Sequence, residues 1–183
     1  MQRLDAYQIV PAGPGDAQAL GEVHVLSWRE TYPGLLPAAY LARMDPRLHA
    51  RRWRGQLMAA RPGEVVLAAE GRDGVVGYCA GMAGDKTQGA EDRSAEVHTL
   101  YVVRAAQNRG VGRGLLGAAA RTFQAIGATS LHLWVLRDNT PARAFYAHLG
   151  GLAVAERPVR GWGGGLTEVA YRWTDITALA GAA

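Results

Sequence analysis

The chain has 183 residues, enough for one well-buried α/β domain and too few for two comfortable ones. An apolar fraction of 49% argues for a globular fold, and no apolar run approaches the ~20 residues that span a bilayer, so no membrane partner is expected. The formal charge of +4 comes from 20 Lys+Arg against 16 Asp+Glu, spread along the chain without a dense block; this suits steering of an anionic small ligand and not a nucleic-acid footprint.

Met1 to Asp5 lacks the apolar core of a signal peptide, so a cytoplasmic protein is expected. Cys79 is the sole cysteine, which excludes an internal disulfide and a cysteine-ligated structural zinc, and no metal site is expected. Tyr7 to Val10, followed by Pro11, reads as an opening strand. Gly15-Asp16 offers an N-cap to a helix from Ala17 to Arg29 with an apolar stripe at Leu20, Val23 and Leu26 to Trp28. Two prolines, Pro33 and Pro37, interrupt the pattern. Ala38 to Met44 reads as a second helix, and a third opens after Asp45-Pro46, its arginines forming a solvated face.

Glu64 to Glu70 and Val75 to Met82 read as a hairpin around Gly71-Arg72-Asp73-Gly74. Gly84 to Ser94 is polar and aperiodic, a loop. A strand follows from Glu96 towards Val103, then a helix from Gly112 to about Ile126, with Leu115, Leu116, Ala119, Phe123 and Ile126 on its buried face. Ser130 to Leu136 is another strand. Asn139-Thr140-Pro141 opens a helix that Gly150 closes, and Leu152 to Val159 and Leu166 to Trp173 form a last strand pair around the glycine-rich Gly161 to Gly165. There is no repeat, linker or second domain in the pattern.

The stretch with chemical content is the strand from Glu96 and the turn that ends it. Gly110, Gly112 and Gly114 crowd a turn between a strand and a helix start. Backbone amides and the helix dipole favour an anion there, and missing side chains let it come close. A dinucleotide-binding turn would place its third glycine where Leu115 stands, and a P-loop would follow with Lys-Ser/Thr, which is absent. What fits is Gln107-Asn108-Arg109-Gly110-Val111-Gly112, a Q/R-x-x-G-x-G/A signature.

This hexapeptide resembles the acyl-CoA pyrophosphate loop of the GNAT superfamily of N-acyltransferases. Asn139 to Gly150 resembles that superfamily's N-x-x-A-x-x-F/Y-Y-x-x-L-G-F motif, with Gly151 in place of the final aromatic, which should weaken packing there. Glu22 to Trp28 with Tyr32 to Pro37 is similar to a bacterial subgroup bearing H-x-x-S-W…Y-x-G-L-L-P. The element order β, α, α, β, β, β-loop-α, β, α, β, β also matches. The resemblance implies a single α/β (α+β) domain over the whole chain, core about 7–174. Its mixed, mostly antiparallel twisted sheet has about seven strands, splays between two parallel strands and carries helices on both faces.

The resemblance also implies an N-acetyltransferase using acetyl-CoA and a primary amine, a small molecule or a peptide N-terminus. The pyrophosphate would rest on the amides of Arg109, Gly110, Val111, Gly112, Arg113 and Gly114, beside Gln107 and Asn108. The pantetheine arm would follow Leu100, Tyr101, Val102 and Val103, with Asn139 and Ala142 near its amide; Asn139 is equally compatible with a plain N-cap. Glu96 stands eleven residues before Gln107, where histone-type members hold their general base. Period-two alternation puts it on one face with His98 and Leu100, barring a bulge.

His98 could share the base role or line the acceptor pocket. Tyr146 matches the tyrosine that protonates the departing thiolate. Trp28 and Tyr32 would line the acceptor side or belong to the core. Cys79 has no activating neighbour in sequence, so direct attack on the thioester is expected. Dimers are common in the family, so a homodimer is possible. A non-catalytic acyl-CoA sensor is the competing function, but it would need neither Glu96 nor Tyr146.

Overall fold

The alternating segments become strands of one sheet in a computed structural model, which describes residues 7–59, 61–84, 93–159 and 165–181. Most of the segment from Gly84 to Ser94, expected as a loop, and the glycine-rich residues 161–164 lie outside the described residues. The strands are β1 (Gln8–Pro11), β2 (Glu64–Gly71), β3 (Gly74–Ala83), β4 (Ser94–Val102), β5 (Ser130–Leu136), β6 (Leu152–Pro158) and β7 (Thr167–Trp173), in the order β1-β2-β3-β4-β5-β7-β6. Among these seven strands only β4 and β5 pair in parallel.

Helices α1 (Ala17–Thr31), α2 (Ala38–Arg43) and α3 (Pro46–Met58) cover one face. Helices α4 (Val111–Ala125), α5 (Thr140–His148) and α6 (Thr177–Ala180) cover the other. The four-residue α6 has no counterpart in the sequence reading, because one turn carries no period to detect.

Local chemistry explains the helix ends. Asp45 caps α3 by accepting from the Arg47 amide at 2.8 Å, and Asn139 caps α5 by accepting from the Ala142 amide at 3.3 Å. Asp16 behaves otherwise. It precedes α1, but its carboxylate accepts from the Gly13 amide at 2.7 Å and so closes a 3-10 turn upstream instead of capping the helix. Arg29, near the end of α1, donates to the carbonyls of Leu41, Ala42 and Met44 and ties α2 down by its last carbonyls.

Alternation is respected on both sides of the sheet. Leu67, Cys79, Val97, Leu133 and Tyr171 face the core under Leu115, Leu116 and Phe123 of α4, while Ala68, Tyr78 and Ala80 pack on Leu20 and Val23 of α1. Leu26 and Ile126, both expected in apolar stripes, are 48% and 37% exposed, and Ile126 stands one residue past the end of α4. Gly151 is compensated from across the fold. A Cβ there would stand 2.6 Å from the ring of Trp173, whose indole N–H donates to the Leu149 carbonyl at 2.8 Å. The buried tryptophan occupies the space, so the weakened packing expected at Gly151 does not arise.

Strand β4 breaks its own period. Gly81 pairs with Val97 and Ala80 with Thr99, which leaves His98 without a partner on β3: a bulge. Ahead of it Ala95 and Val97 face α4; after it Leu100 and Val102 do. The expectation that Glu96, His98 and Leu100 share one face is therefore corrected, with Leu100 on the opposite side from Glu96. Gly81 is what permits the bulge, since a Cβ at that position would overlap the Glu96 carbonyl oxygen and lie 3.0 Å from the Phe123 ring. Pairing of β4 with β5 runs only from Ser94↔Ser130 to Val97↔Leu133, and beyond that point the two strands diverge.

Between α1, α3 and β3 sits a partly buried polar cluster. His24 stacks on His49 with ring centroids 4.1 Å apart, and the Tyr78 hydroxyl, kept protonated by burial, shares a hydrogen bond with His24 Nδ1 at 2.7 Å. Burial, then His49 and Arg52, push His24 down to about 3 from an ordinary 6.5. The neutral ring is the folded form, so the unfolded chain binds the extra proton first. Stability from this group is present above about pH 6.5 and is lost as pH falls towards 3. Wild type should lose roughly 2 to 3 kcal/mol more than a His24→Gln variant between neutral pH and pH 4, measured as urea midpoints. Parallel acid slopes would show that His24 carries no such linkage.

Candidate functional site

The divergence of β4 and β5 opens a cleft of about 1000 Å³. Its walls are Val97 to Val102 on one strand and Leu133 to Leu136 on the other, and its mouth is formed by the turn after β4 and the first turn of α5. Within this stretch β4 presents to β5 a backbone edge that no β5 residue occupies, a place where an extended ligand can bind as a strand would.

The glycine turn lies at one end. Asn108 and Gly110 have left-handed backbone, φ 59° and 84°, which turns the chain sharply into α4. Gly110 is the N-cap of α4 and supplies no side-chain acceptor. The first helical bond from the cap is Gly114 N–H to Gly110 O at 2.9 Å, so the amides ahead of Gly114 have no intrahelical partner and carry the positive end of the dipole. That is a fit for a phosphate group, with Arg113 beside it on the cleft wall.

Gln107, Asn108, Gly110, Gly112 and Arg113 all line the cleft, as do Leu100, Tyr101 and Val102. Gln107 braces the turn by donating its side-chain N–H to the Val102 carbonyl at 3.0 Å. Val103 is off the wall, its amide bonded to Val76 O at 3.0 Å. Val111 is buried in the core. Gly114 faces β1, where a Cβ would come within 2.9 Å of both Tyr7 and Ile9. Arg109 is exposed and outside the lining.

Across the cleft, Asn139, Ala142 and Tyr146 line the α5 side. Tyr146 is 8% exposed, among the rings of Phe145, Tyr171 and Trp173 at 5.3 to 6.3 Å. Burial pushes its hydroxyl pKa up, so it holds its proton throughout the neutral range. Cys79 is fully buried and burial pushes its thiol to about 12, which keeps it a packing residue.

Tyr32 lines the mouth, and its hydroxyl pKa is raised by burial. Trp28 stands behind it, edge-on at 5.0 Å, and does not reach the cleft. Glu30 of α1 accepts from the Arg104 amide at 2.7 Å, and Arg104 also donates to the Glu30 carbonyl, which clamps the end of α1 to the turn that precedes the glycines.

Glu96 sits where β4 and β5 part. It is half-exposed, on the face away from α4, and does not line the cleft wall itself. One carboxylate oxygen is 3.6 Å from His98 Nδ1 and the other 3.5 Å from His132 Nε2. His132, on β5 directly opposite Glu96, was missed from the sequence. Its alternation with Leu131 and Leu133 pointed it away from the core, but only the register of the two strands reveals the partner. Among the described residues no group of three or more His, Cys, Asp or Glu could hold a metal ion, and no helix is long and apolar enough to cross a membrane.

A sheet that splays at a parallel pair, with an anion-binding turn at its rim, is the architecture of an acyltransferase class, and the chain belongs to the GNAT acetyltransferase family. The model of that family, described as "Acetyltransferase (GNAT) family", matches residues 23–151. Among curated relatives, the uncharacterized N-acetyltransferase YuaI of Bacillus subtilis (strain 168) is 29% identical over 164 residues, 90% of this chain and 91% of its own. Mycothiol acetyltransferase of Jonesia denitrificans is 46% identical over 67 residues, 37% of this chain but 21% of its own.

Solved structures share the fold. PaiA N-acetyltransferase of Thermoplasma acidophilum, in complex with coenzyme A, has a TM-score of 0.74 at 18% identity, covering 91% of this chain and 98% of that one. YncA of Salmonella typhimurium, with its cofactor acetyl-CoA, has a TM-score of 0.66 at 22% identity, covering 93% and 95%.

Proposed function

We propose that the protein is an acetyl-CoA-dependent N-acetyltransferase that modifies a primary amine by direct attack on the thioester. The observation that carries the reading is the continuous cleft from the amides at the start of α4, along the free edge of β4, to Tyr146 on one side and the Glu96 vertex beyond. Membership of an acetyltransferase family, the coenzyme A held by PaiA and the acetyl-CoA held by YncA support it.

In this reading the amides of Arg109 to Arg113 and the Arg113 side chain hold the pyrophosphate, with Gln107 and Asn108 shaping the turn. Gly114 has no part in that set, because its amide is committed to Gly110. Leu100, Tyr101 and Val102 offer backbone to the pantetheine arm, Asn139 and Ala142 face it, and Val103 anchors the strand end. Acetyl-CoA supplies a thioester whose acyl carbon an uncharged amine can attack. Glu96 takes the proton from the acceptor amine, directly or through one water, which raises the reactive fraction of a group with pKa near ~10. Tyr146 keeps a proton at a hydroxyl that can donate it to a leaving sulfur. His98, Tyr32 and, behind it, Trp28 form the acceptor side.

The test is a panel of primary amines, from small diamines to peptide N-termini, with thiol detection of released CoA. Tight CoA binding with no release on any acceptor would overturn the enzyme reading in favour of a sensor. Tyr146→Phe should lower turnover at least tenfold, about 1.4 kcal/mol, while acetyl-CoA affinity stays within two- to threefold, because the hydroxyl matters only as the thiolate leaves. Turnover within threefold of wild type would mean that another acid serves.

A further inference from the structure

The Glu96 carboxylate is held between two imidazoles that differ in kind. His98 is the bulged residue of β4, 53% exposed, with no partner on β3. His132 is less exposed, at 32%, and is fixed from behind: its Nδ1 lies 3.2 Å from the Ser94 hydroxyl and its Nε2 faces the Glu96 carboxylate at 3.5 Å. An ionised carboxylate can only accept, so it is a hydrogen on His132 Nε2 that Glu96 can engage, and in that tautomer of the neutral ring Nδ1 accepts from Ser94 Oγ–H. Ser94, His132 and Glu96 therefore lie in a row, with a 3.2 Å hydrogen bond on one side of the ring and a 3.5 Å approach to the carboxylate on the other. Glu96 and His132 are register partners in the last paired rungs before β4 and β5 diverge, so this row spans the vertex of the cleft.

We propose that His132, oriented by Ser94, is the positioning residue that holds the Glu96 carboxylate at the vertex, beside the acceptor side of the cleft. His132 does not line the cleft and acts only through Glu96. The other titratable groups at the vertex are His98, which approaches the same carboxylate, and Arg172, the register partner of His132 on β7. The inference rests on Glu96 as the base, and its test separates the two ideas. A base displaced by an ångström loses up to ~100-fold in rate, so loss of the Nε2–H donor should cost roughly 10- to 100-fold in kcat with the KM for acetyl-CoA unchanged.

Four variants, Glu96→Gln, His132→Ala, His132→Gln and His132→Asn, and the Glu96→Gln/His132→Ala double variant are compared with acetyl-CoA and the amine of highest turnover in the panel above. Glutamine can set its amide where Nε2 stood and should recover most of the activity. Asparagine reaches only the Nδ1 position and should not. In the Glu96→Gln background, His132→Ala should cost nothing further.

A full additional loss in that background, or an unaffected His132→Ala, overturns the positioning role while leaving Glu96 in place. A near-normal Glu96→Gln overturns the base itself, and with it this inference. An acceptor-free measurement stands beside the kinetics. In long-range proton–nitrogen spectra of the five histidines, Glu96→Gln should shift the His132 and His98 rings and leave His24 and His49 unmoved. A stationary His132 signal would show that no such contact exists and end the proposal.

Discussion

Glu96→Gln is expected to lose at least ~100-fold in turnover at neutral pH, the size of a general-base contribution. The loss should shrink as pH rises, because the acceptor amine then deprotonates without help. Acetyl-CoA affinity should hardly change, since Glu96 lies at the vertex on the face away from α4 and outside the cleft wall. The measurement is a pair of pH–rate profiles, Glu96→Gln against His98→Ala, under the same acceptor. His98 is the more exposed partner and carries no strand pairing, so its removal should cost less. A near-normal Glu96→Gln beside a crippled His98→Ala would move the base to the histidine.

The second large effect is expected at Gly112. A Cβ there would lie 3.3 Å from Cζ of Phe145, so the first turn of α4 and the side of α5 are in contact across this glycine. Gly112→Leu would drive a branched side chain into that seam and displace the amides from the cleft mouth. CoA affinity should fall by at least ~100-fold, about 2.7 kcal/mol, in titration calorimetry. The far-ultraviolet circular dichroism should stay that of the wild type, because the core of α4 lies further along at Leu115, Leu116 and Phe123. Unchanged affinity would remove the glycine turn from the CoA site.

Much of this was legible in the sequence because its causes are local. Alternation marked the strands, Asp45-Pro46 and Asn139-Thr140-Pro141 marked helix starts, and Gly110 to Gly114 marked an anion-facing turn. What escaped depends on neighbours distant in the chain. The bulge at His98 follows from Gly81 on the adjoining strand, and period two carried through it misplaces Leu100. His132 acquires meaning only from the parallel register with Glu96. Trp173 fills the space beside Gly151 from a strand more than twenty residues later. Asp16 looked like a helix cap because the residue type is right, yet a nearer amide, that of Gly13, claims its carboxylate.

The bulge also makes β4 a strand with two phases. Upstream of His98 the even-numbered Glu96 points away from α4; downstream the even-numbered Leu100 and Val102 point towards it. One backbone therefore turns two different sets of side chains to its two faces. In the proposed reading, variation at the two cleft-lining positions 98 and 134 would re-shape what the amine encounters, while the backbone edge offered to the thioester arm stays the same from Thr99 onward. A library restricted to those positions should change which amine is accepted without re-optimising the donor groove, so the two halves of the reaction can be tuned as separate problems.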